Sequence, residues 1–432
     1  MEADSGSQLA PSPSLSSSDR DTPTRRFATP LSRRATLALL ILMVLLDIAV
    51  CSWIASARPD RSRGPDEQYS LRNVEHTLRT GELRPINPYY PGLSELPQIL
   101  ILGASQMLHR MTRVEAFAVL QEQQGVTPTG YRLCRWSVVV LGAGYLLLTF
   151  AVGRRLFSQE TALLGVLICM TAPIHIRATS IYKPDALLVL LVLLTFLWSL
   201  EVAERGTLGT YLLAGLGVGL ASSSKQTGAL ASIPLVVATM LGWRQVARWL
   251  WLGVAALASV CVFFLLNPYP DKLGKLFNII RPYKAWAAQH GNPERGHHLL
   301  ALTFVPRKLV GPAFLGPVLG VASLLGFVGL LFLLYRRRNL RPQAVRLALF
   351  VTYPVCFVLV CAAISDFHRQ NVFLSLLPFS SLAAGWLLAE LWQCTGARLD
   401  GWRRRLLFWP ALTGLLILVS WTAGAFVYGG VG

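Results

Sequence analysis

Two adjacent carboxylates, Asp66 and Glu67, follow the first apolar stretch of the chain by about ten residues and open a long polar segment. A third acid, Asp185, and the cations Lys183, Lys225 and Arg369 also sit where apolar runs begin or end, with His368 beside Arg369. A carboxylate held against a hydroxyl can take its proton. A lysine ammonium binds phosphate as a point charge, and an arginine offers a planar fork matched to phosphate oxygens. Each residue also has a plain structural reading. Asp185 follows Pro184, which fits the first turn of a helix and keeps Lys183 out of it, so the acid would complement a helix dipole. Lys225, after the run GLGVGLASSS, would extend its ammonium to the headgroups of a bilayer.

The elements that must carry these groups follow from composition. Of 432 residues, 53% are hydrophobic and only 14% charged, which makes this a polytopic membrane protein. Apolar runs of roughly 17 to 22 residues recur, each long enough to cross about 30 Å of hydrocarbon as a helix. A barrel is excluded, because runs such as 186–200 show no alternation of apolar and polar residues. The formal charge of +18 would suggest nucleic acid in a soluble protein. Here the basic residues gather in short loops between apolar runs, where orientation in a bilayer explains them and no nucleic acid is called for.

Spans are expected near 35–56, 134–152, 161–178, 186–202, 208–222, 227–243, 249–267, 312–335, 347–364, 372–392 and 406–428, about eleven in all. Arg20, Arg25, Arg26, Arg33 and Arg34 place the N-terminus in the cytoplasm. The same parity puts Arg154, Arg155, Arg205, the run from Arg336 to Arg346 and Arg398 with Arg403 to Arg405 inside, and the C-terminus outside. Leu96 to Leu108 is too short for a comfortable crossing and is read as an interfacial or re-entrant helix. Residues 1–34 read as a disordered cytoplasmic tail, 35–428 as the membrane domain, and 429–432 as a short outer tail, with long outer loops at 57–133 and 268–311. The seven cysteines lie in or at the ends of apolar runs, with no CxxC and no zinc-type spacing, so they read as small buried hydrophobes and no metal is assigned.

With that parity, Asp66, Glu67, Lys183, Asp185, Lys225, His368 and Arg369 all fall on the outer side. Carboxylates and cations on one membrane face suit transfer of a sugar from a polyprenyl phosphate. The leaving group is already a stable phosphate anion that needs cations, and the acceptor hydroxyl needs a base. One displacement opposite the phosphate inverts the anomeric carbon.

Four ordered stretches carry a family resemblance: PDEQYSLRNVEHTLRTGELRPINPYYPGL; YRLCRW followed by YLLLTFAVGRRLFSQETALLGVLICMTAPIHIRATSIYKPDALLVL; GLGVGLASSSKQTGALASIPL; and HRQNVFLSLLPFSSLAAG. Together they resemble the GT-C glycosyltransferases, in the branch of protein O-mannosyltransferases and lipid A aminoarabinose transferases. The resemblance implies an all-α GT-C fold with outer juxtamembrane helices and a transferase using a lipid-phosphate sugar donor. It implies Asp66 as the base, with Glu67 as its neighbour or substitute, and Asp185 as the second acid. Lys225 and Arg369 would hold the lipid-linked phosphate, with Lys183 and His368 beside them. Tyr69 matches the tyrosine of the first-loop pattern, and Arg132 stands where the family begins its second span with arginine. No cofactor is assigned, although in some relatives the second acid helps to hold a divalent cation.

Two departures leave sugar and acceptor open. Large outer domains found in several relatives are absent, and the first loop has Tyr90-Pro91-Gly92 in place of His-Pro-Pro. The absent domains favour a bacterial plasma membrane, and the partners implied are the lipid-linked sugar, the bilayer and a protein, lipid or glycan acceptor. A transporter or flippase is the competing class; against it, no apolar span carries a central charge except Asp47, the two halves show no repeat and the charges gather on one outer face. That acid lies inside the first span, where it costs on the order of 3 kcal/mol to insert and must face a neighbouring helix or water.

Overall fold

The computed structural model of the chain describes residues 32–57, 62–83, 91–121, 125–242, 244–267, 306–336, 341–364 and 370–396. The span expected at 406–428, residues 1–31 of the expected N-terminal tail, the expected C-terminal tail, and His368 and Arg369 lie outside them. Within them the protein is all-α apart from a two-rung antiparallel ladder that pairs Leu120 with Val126 and Gln121 with Gly125.

The helices are α1 (Arg33–Ser56), α2 (Pro65–Thr80), α3 (Leu96–Thr112), α4 (Pro128–Leu156), α5 (Gln159–Thr171), α6 (Pro173–Thr179) and α7 (Asp185–Arg205). They continue with α8 (Leu208–Ser224), α9 (Ser232–Leu241), α10 (Val246–Leu266), α11 (Gly316–Arg336), α12 (Arg341–Ile364) and α13 (Leu377–Gly396). Their starts are written in the sequence. Ser32, Thr127 and Ser158 accept backbone N–H groups at the heads of α1, α4 and α5, and Thr207 forms a capping box at α8. Pro128 and Pro173 occupy first-turn positions that need no N–H.

Among the described residues, seven helices are long and apolar enough to span a bilayer, and α5 with α6 makes an eighth bent by 66° at Ala172-Pro173. The chain is therefore a multi-pass membrane protein. Two expected spans differ in form. The segment at 208–222 becomes the shorter α8, and that at 227–243 is divided into a 3-10 turn (Gln226–Ala231) and α9, because Gly228 packs against the Ala221 carbonyl and the chain turns there. Leu96–Leu108 is helical, as the first part of α3, and does not number among the spans.

The core runs through α4, α5, α7, α8, α11, α12 and α13, with an aromatic centre of Phe196, Phe350, Tyr353 and Phe379. By contrast α10 and much of α1 show leucines and valines outward, as a lipid-facing surface does. One end of the bundle is tied by ion pairs. Arg155 meets Glu201 and Glu204 at 2.6 Å each, and Arg346 meets Glu204 at 2.9 Å. Thr36 at the head of α1 reaches Gln159 at 3.0 Å. Arg205 meets Glu201 at 2.9 Å, so Arg155, Arg205 and Arg346 share one end.

Candidate functional site

The opposite end of the bundle gathers the tail of α1, the heads of α2, α4 and α7, and the tail of α8. Pro65 starts α2, so Asp66 and Glu67 fall in its first turn, where carboxylates complement free N–H groups. Successive helical residues point about 100° apart, and the two acids accordingly meet different surroundings.

Glu67 turns inward and is fully buried. Its Oε1 takes Arg135 Nε at 2.9 Å and the Tyr182 N–H at 3.2 Å; its Oε2 takes Arg135 Nη2 at 3.0 Å and the Arg63 N–H at 2.7 Å. Arg135 also donates to the Ala55 carbonyl at 3.3 Å and lies over the Tyr131 ring, 5.5 Å from its centroid. Arg63 donates to the carbonyls of Ile54, Ala57 and Ser180, the first two at the tail of α1. A buried carboxylate with four donors is a structural joint between α1, α2, α4 and the segment after α6.

Asp66 faces the other way. Its Oδ2 accepts from Lys183 Nζ at 2.8 Å, and the two side chains stay 20% and 12% exposed. One residue beyond Pro184, Asp185 Oδ1 accepts from Lys225 Nζ at 2.5 Å, with side-chain exposures of 4% and 12%. Pro184 therefore joins two acid–ammonium pairs, each open to solvent through at least one partner. Lys225 leaves α8 in an extended conformation, which carries its side chain back to the head of α7.

Of the remaining sequence candidates, Tyr69 is half-buried on α2 and Arg132 is exposed on α4. Arg135, one turn after Arg132, is the arginine of α4 that enters the cluster. His368 and Arg369 lie outside the described residues.

Sequence reasoning passed over Arg63, Arg135, Tyr182 and a further buried acid, Glu95. A charge placed just inside an apolar span was the available signal for Arg135. Glu95 precedes α3, is nearly inaccessible, and accepts from Asn73 Nδ2 of α2 at 2.6 Å. Burial raises its carboxyl from 4.5 to about 8, against a smaller opposing effect of the Asn73 hydrogen bond, so it is protonated at neutral pH. The Tyr182 hydroxyl donates to the neighbouring Ser94 carbonyl at 3.3 Å. Its phenol is held well above its ordinary range by burial first and then by Glu95, Cys134 and Glu67.

The sequence profile of the dolichyl-phosphate-mannose-protein mannosyltransferase family matches residues 128–269. No curated protein matches the chain. Two structures of ArnT from Cupriavidus metallidurans are similar in fold. The apo form has a TM-score of 0.52 at 17% identity over 86% of this chain and 62% of that one. The form bound to undecaprenyl phosphate has 0.53 at 16% over 90% and 70%. The oligosaccharyltransferase of Archaeoglobus fulgidus matches with zinc and sulfate (0.58, 12% identity, 89% and 53% covered). It also matches with an inhibitory peptide and a dolichol-phosphate (0.54, 12%, 90% and 55%). The chain thus spans between about half and about two thirds of the length of these proteins. These neighbours show the fold, that of the GT-C glycosyltransferases, and the matched profile supports the resemblance to the protein O-mannosyltransferases over residues 128–269.

Proposed function

We propose that the protein transfers a sugar from a polyprenyl-phosphate carrier to an acceptor hydroxyl with inversion, on the extracytoplasmic side, with Asp66 as general base. The observation that carries this reading is the difference between the two adjacent acids. Glu67 has its acceptor sites filled inside the fold, whereas Asp66 remains partly open beside Lys183 and next to the Asp185–Lys225 pair. A base must reach substrate, and of the two only Asp66 can. The earlier alternative of Glu67 as substitute base is therefore set aside in favour of a structural role.

In this reaction the acceptor O–H gives its proton to Asp66 as its oxygen forms a bond to the anomeric carbon. The bond from that carbon to the phosphate oxygen breaks, and the phosphate leaves with the electron pair. Lys225 and Lys183, on the rim of the same site, would hold the phosphate oxygens, with Arg369 and His368 expected to contribute from beyond the described residues. Asp185 positions Lys225. Lys225 already occupies one oxygen of the Asp185 carboxylate, and we assign phosphate recognition to the cations. The undecaprenyl phosphate of ArnT and the dolichol-phosphate of the archaeal enzyme support a lipid phosphate as the carrier class.

Asp47 does not favour the transporter reading. It is inaccessible and bound to His175 within the bundle instead of facing a path.

The test is purified protein in lipid, offered a panel of polyprenyl-phosphate sugars and hydroxyl acceptors. Transfer by the native protein and its loss in Asp66→Asn, with melting temperature and donor binding retained, is expected. Undiminished transfer by Asp66→Asn would overturn the assignment.

A further inference from the structure

Away from the charged end, a second polar constellation is sealed inside the bundle. Asp47 and Cys51 occupy successive turns of α1, at i and i+4 on its inward face, and His175 of α6 comes up against both. His175 Nε2 is 2.7 Å from Asp47 Oδ1, and Cys51 Sγ is 3.6 Å from the same oxygen. One ligand atom from each of the three side chains lies within 4.8 Å of the others, and all three residues are buried. The other ring nitrogen, His175 Nδ1, is bound by the Tyr145 hydroxyl of α4. The Thr179 hydroxyl lies 3.2 Å from Cys51 Sγ.

An Asp–His pair alone does not account for this arrangement. It satisfies Asp47 Oδ1 but leaves Oδ2 buried and without a hydrogen-bond partner among the described residues. An orphan carboxylate oxygen is costly in any protein interior. Nor does the pair explain why a thiol and a hydroxyl converge on the same point.

We propose that Asp47, Cys51 and His175 form a binding site for a zinc-class divalent metal ion, which pins α1 to the bent α5–α6 segment. The donor set is one carboxylate oxygen, one sulfur and one imidazole nitrogen, the mixture that zinc-like ions take and that calcium and magnesium do not. Its charges cancel. Loading releases the Cys51 thiol proton and the proton shared by His175 Nε2 and Asp47 Oδ1. A dication with a thiolate, a carboxylate and a neutral imidazole is then an uncharged unit suited to a bilayer. The second carboxylate oxygen gains a neighbour of opposite charge. Tyr145 on Nδ1 is the outer partner that fixes ring orientation in histidine ligands generally.

The position gives the site a structural role. Asp47 lies two turns before Ala55, whose carbonyl Arg135 holds, or about 12 Å at the helical rise. His175 lies just beyond the 66° bend, on the short helix that leads to Tyr182 and Lys183. A metal here would set the angle at which α6 delivers those two residues. It takes no part in the proposed transfer, and its test does not depend on that reading.

The experiment is metal loading of full-length protein in detergent. The chain is expressed with zinc, analysed for bound metals, and exchanged with cobalt(II) to read ligand-field and thiolate-to-metal charge-transfer bands. About one equivalent of metal per chain is expected, with a charge-transfer band lost in Cys51→Ser and metal content down about tenfold or more in His175→Gln. Cys394→Ser, at an exposed thiol on α13 that is not among the three converging ligands, should leave both unchanged. Size exclusion and melting curves establish that each variant is folded. Folded native protein with no band and less than about a tenth of an equivalent after loading would overturn the site. So would a band that persists in folded Cys51→Ser.

Discussion

Glu67 on α2 and Arg135 on α4, 68 residues apart in sequence, close a two-point ion pair that solvent does not reach. With the Arg63 and Tyr182 N–H groups on the same carboxylate, one side chain organises four segments around the head of α2. Asp66 is thereby presented from a rigid support. The first turn of α2 thus turns one acid, Glu67, into the fold and leaves the other, Asp66, partly open beside Lys183.

Removing one partner of that pair should therefore cost stability. Arg135→Ala leaves the Glu67 charge buried and uncompensated, a change worth about 3–5 kcal/mol in comparable pairs. Glu67→Gln removes the charge opposite Arg135 and is expected to act in the same direction. Thermal unfolding in detergent should show a clear drop for both. Asp66→Asn, whose ion pair is partly exposed, should stay within about 1 kcal/mol of the native protein while losing about 100-fold or more in transfer rate. A large melting shift in Asp66→Asn would mean that it too is structural.

Lys225 should act on donor affinity. A lost charge-assisted hydrogen bond to phosphate is worth about 1.5–3 kcal/mol, so Lys225→Ala should raise the KM for the lipid-linked donor by roughly 10- to 100-fold. It would also strand Asp185 unpaired in a buried position. The double variant Lys225→Met with Asp185→Asn separates the two effects, since it should recover thermal stability but not donor affinity. Recovery of both would show that Lys225 serves Asp185 alone.

Glu95 gives a pH signature. Its folded pKa of about 8 stands above the ordinary 4.5, so the folded protein binds a proton that the unfolded chain has lost. The raised value means that its contribution is fully present below about pH 4.5, falls as pH rises from there, and is gone above about pH 8. Glu95→Gln keeps the acceptor for Asn73 and cannot ionise. Melting temperature against pH should slope downward over that window in the native protein and flatten in Glu95→Gln. Equal slopes would assign the pH dependence to other groups.

Much of this site was legible because its residues break a pattern. Asp66, Lys183, Asp185 and Lys225 are charges at the ends of apolar runs, and Asp47 is a charge within one; such positions stand out against hydropathy. Arg135 did not stand out, because Arg132 offers the same side chain one turn earlier and only packing decides which faces inward. Glu95 and His175 depend wholly on tertiary burial. The bend that brings His175 to Asp47 is marked by Pro173, but its direction is set by contacts among α1, α4 and α6. The same limit applies to span form. Length and apolar content identified the segments at 208–222 and 227–243, whereas the turn at Gly228 rests on the close approach of Ala221.

Helix packing beside Lys225 supplies the last prediction. α10 lies along the edge of the bundle with little of its surface covered, and it meets α8 through Gly215 and Gly219. A side chain at Gly215 would overlap the Ala255 backbone, and one at Gly219 would press on Ser259. Small residues at such crossings let backbones meet closely where lipid supplies no hydrophobic drive. The contact reaches the site, because α10 ends at Asn267, whose side chain accepts the Gly92 N–H at 2.9 Å and lies 3.4 Å from Ser223, two residues before Lys225. Gly215→Val should then destabilise by about 1–3 kcal/mol through overpacking and weaken donor binding by displacing the tail of α8. Gly209→Ala is the control, since a methyl group there meets nothing within 4 Å and helix propensity favours it by about 1 kcal/mol. Native-like melting and donor binding in Gly215→Val would show that α10 can move away without disturbing the position of Lys225.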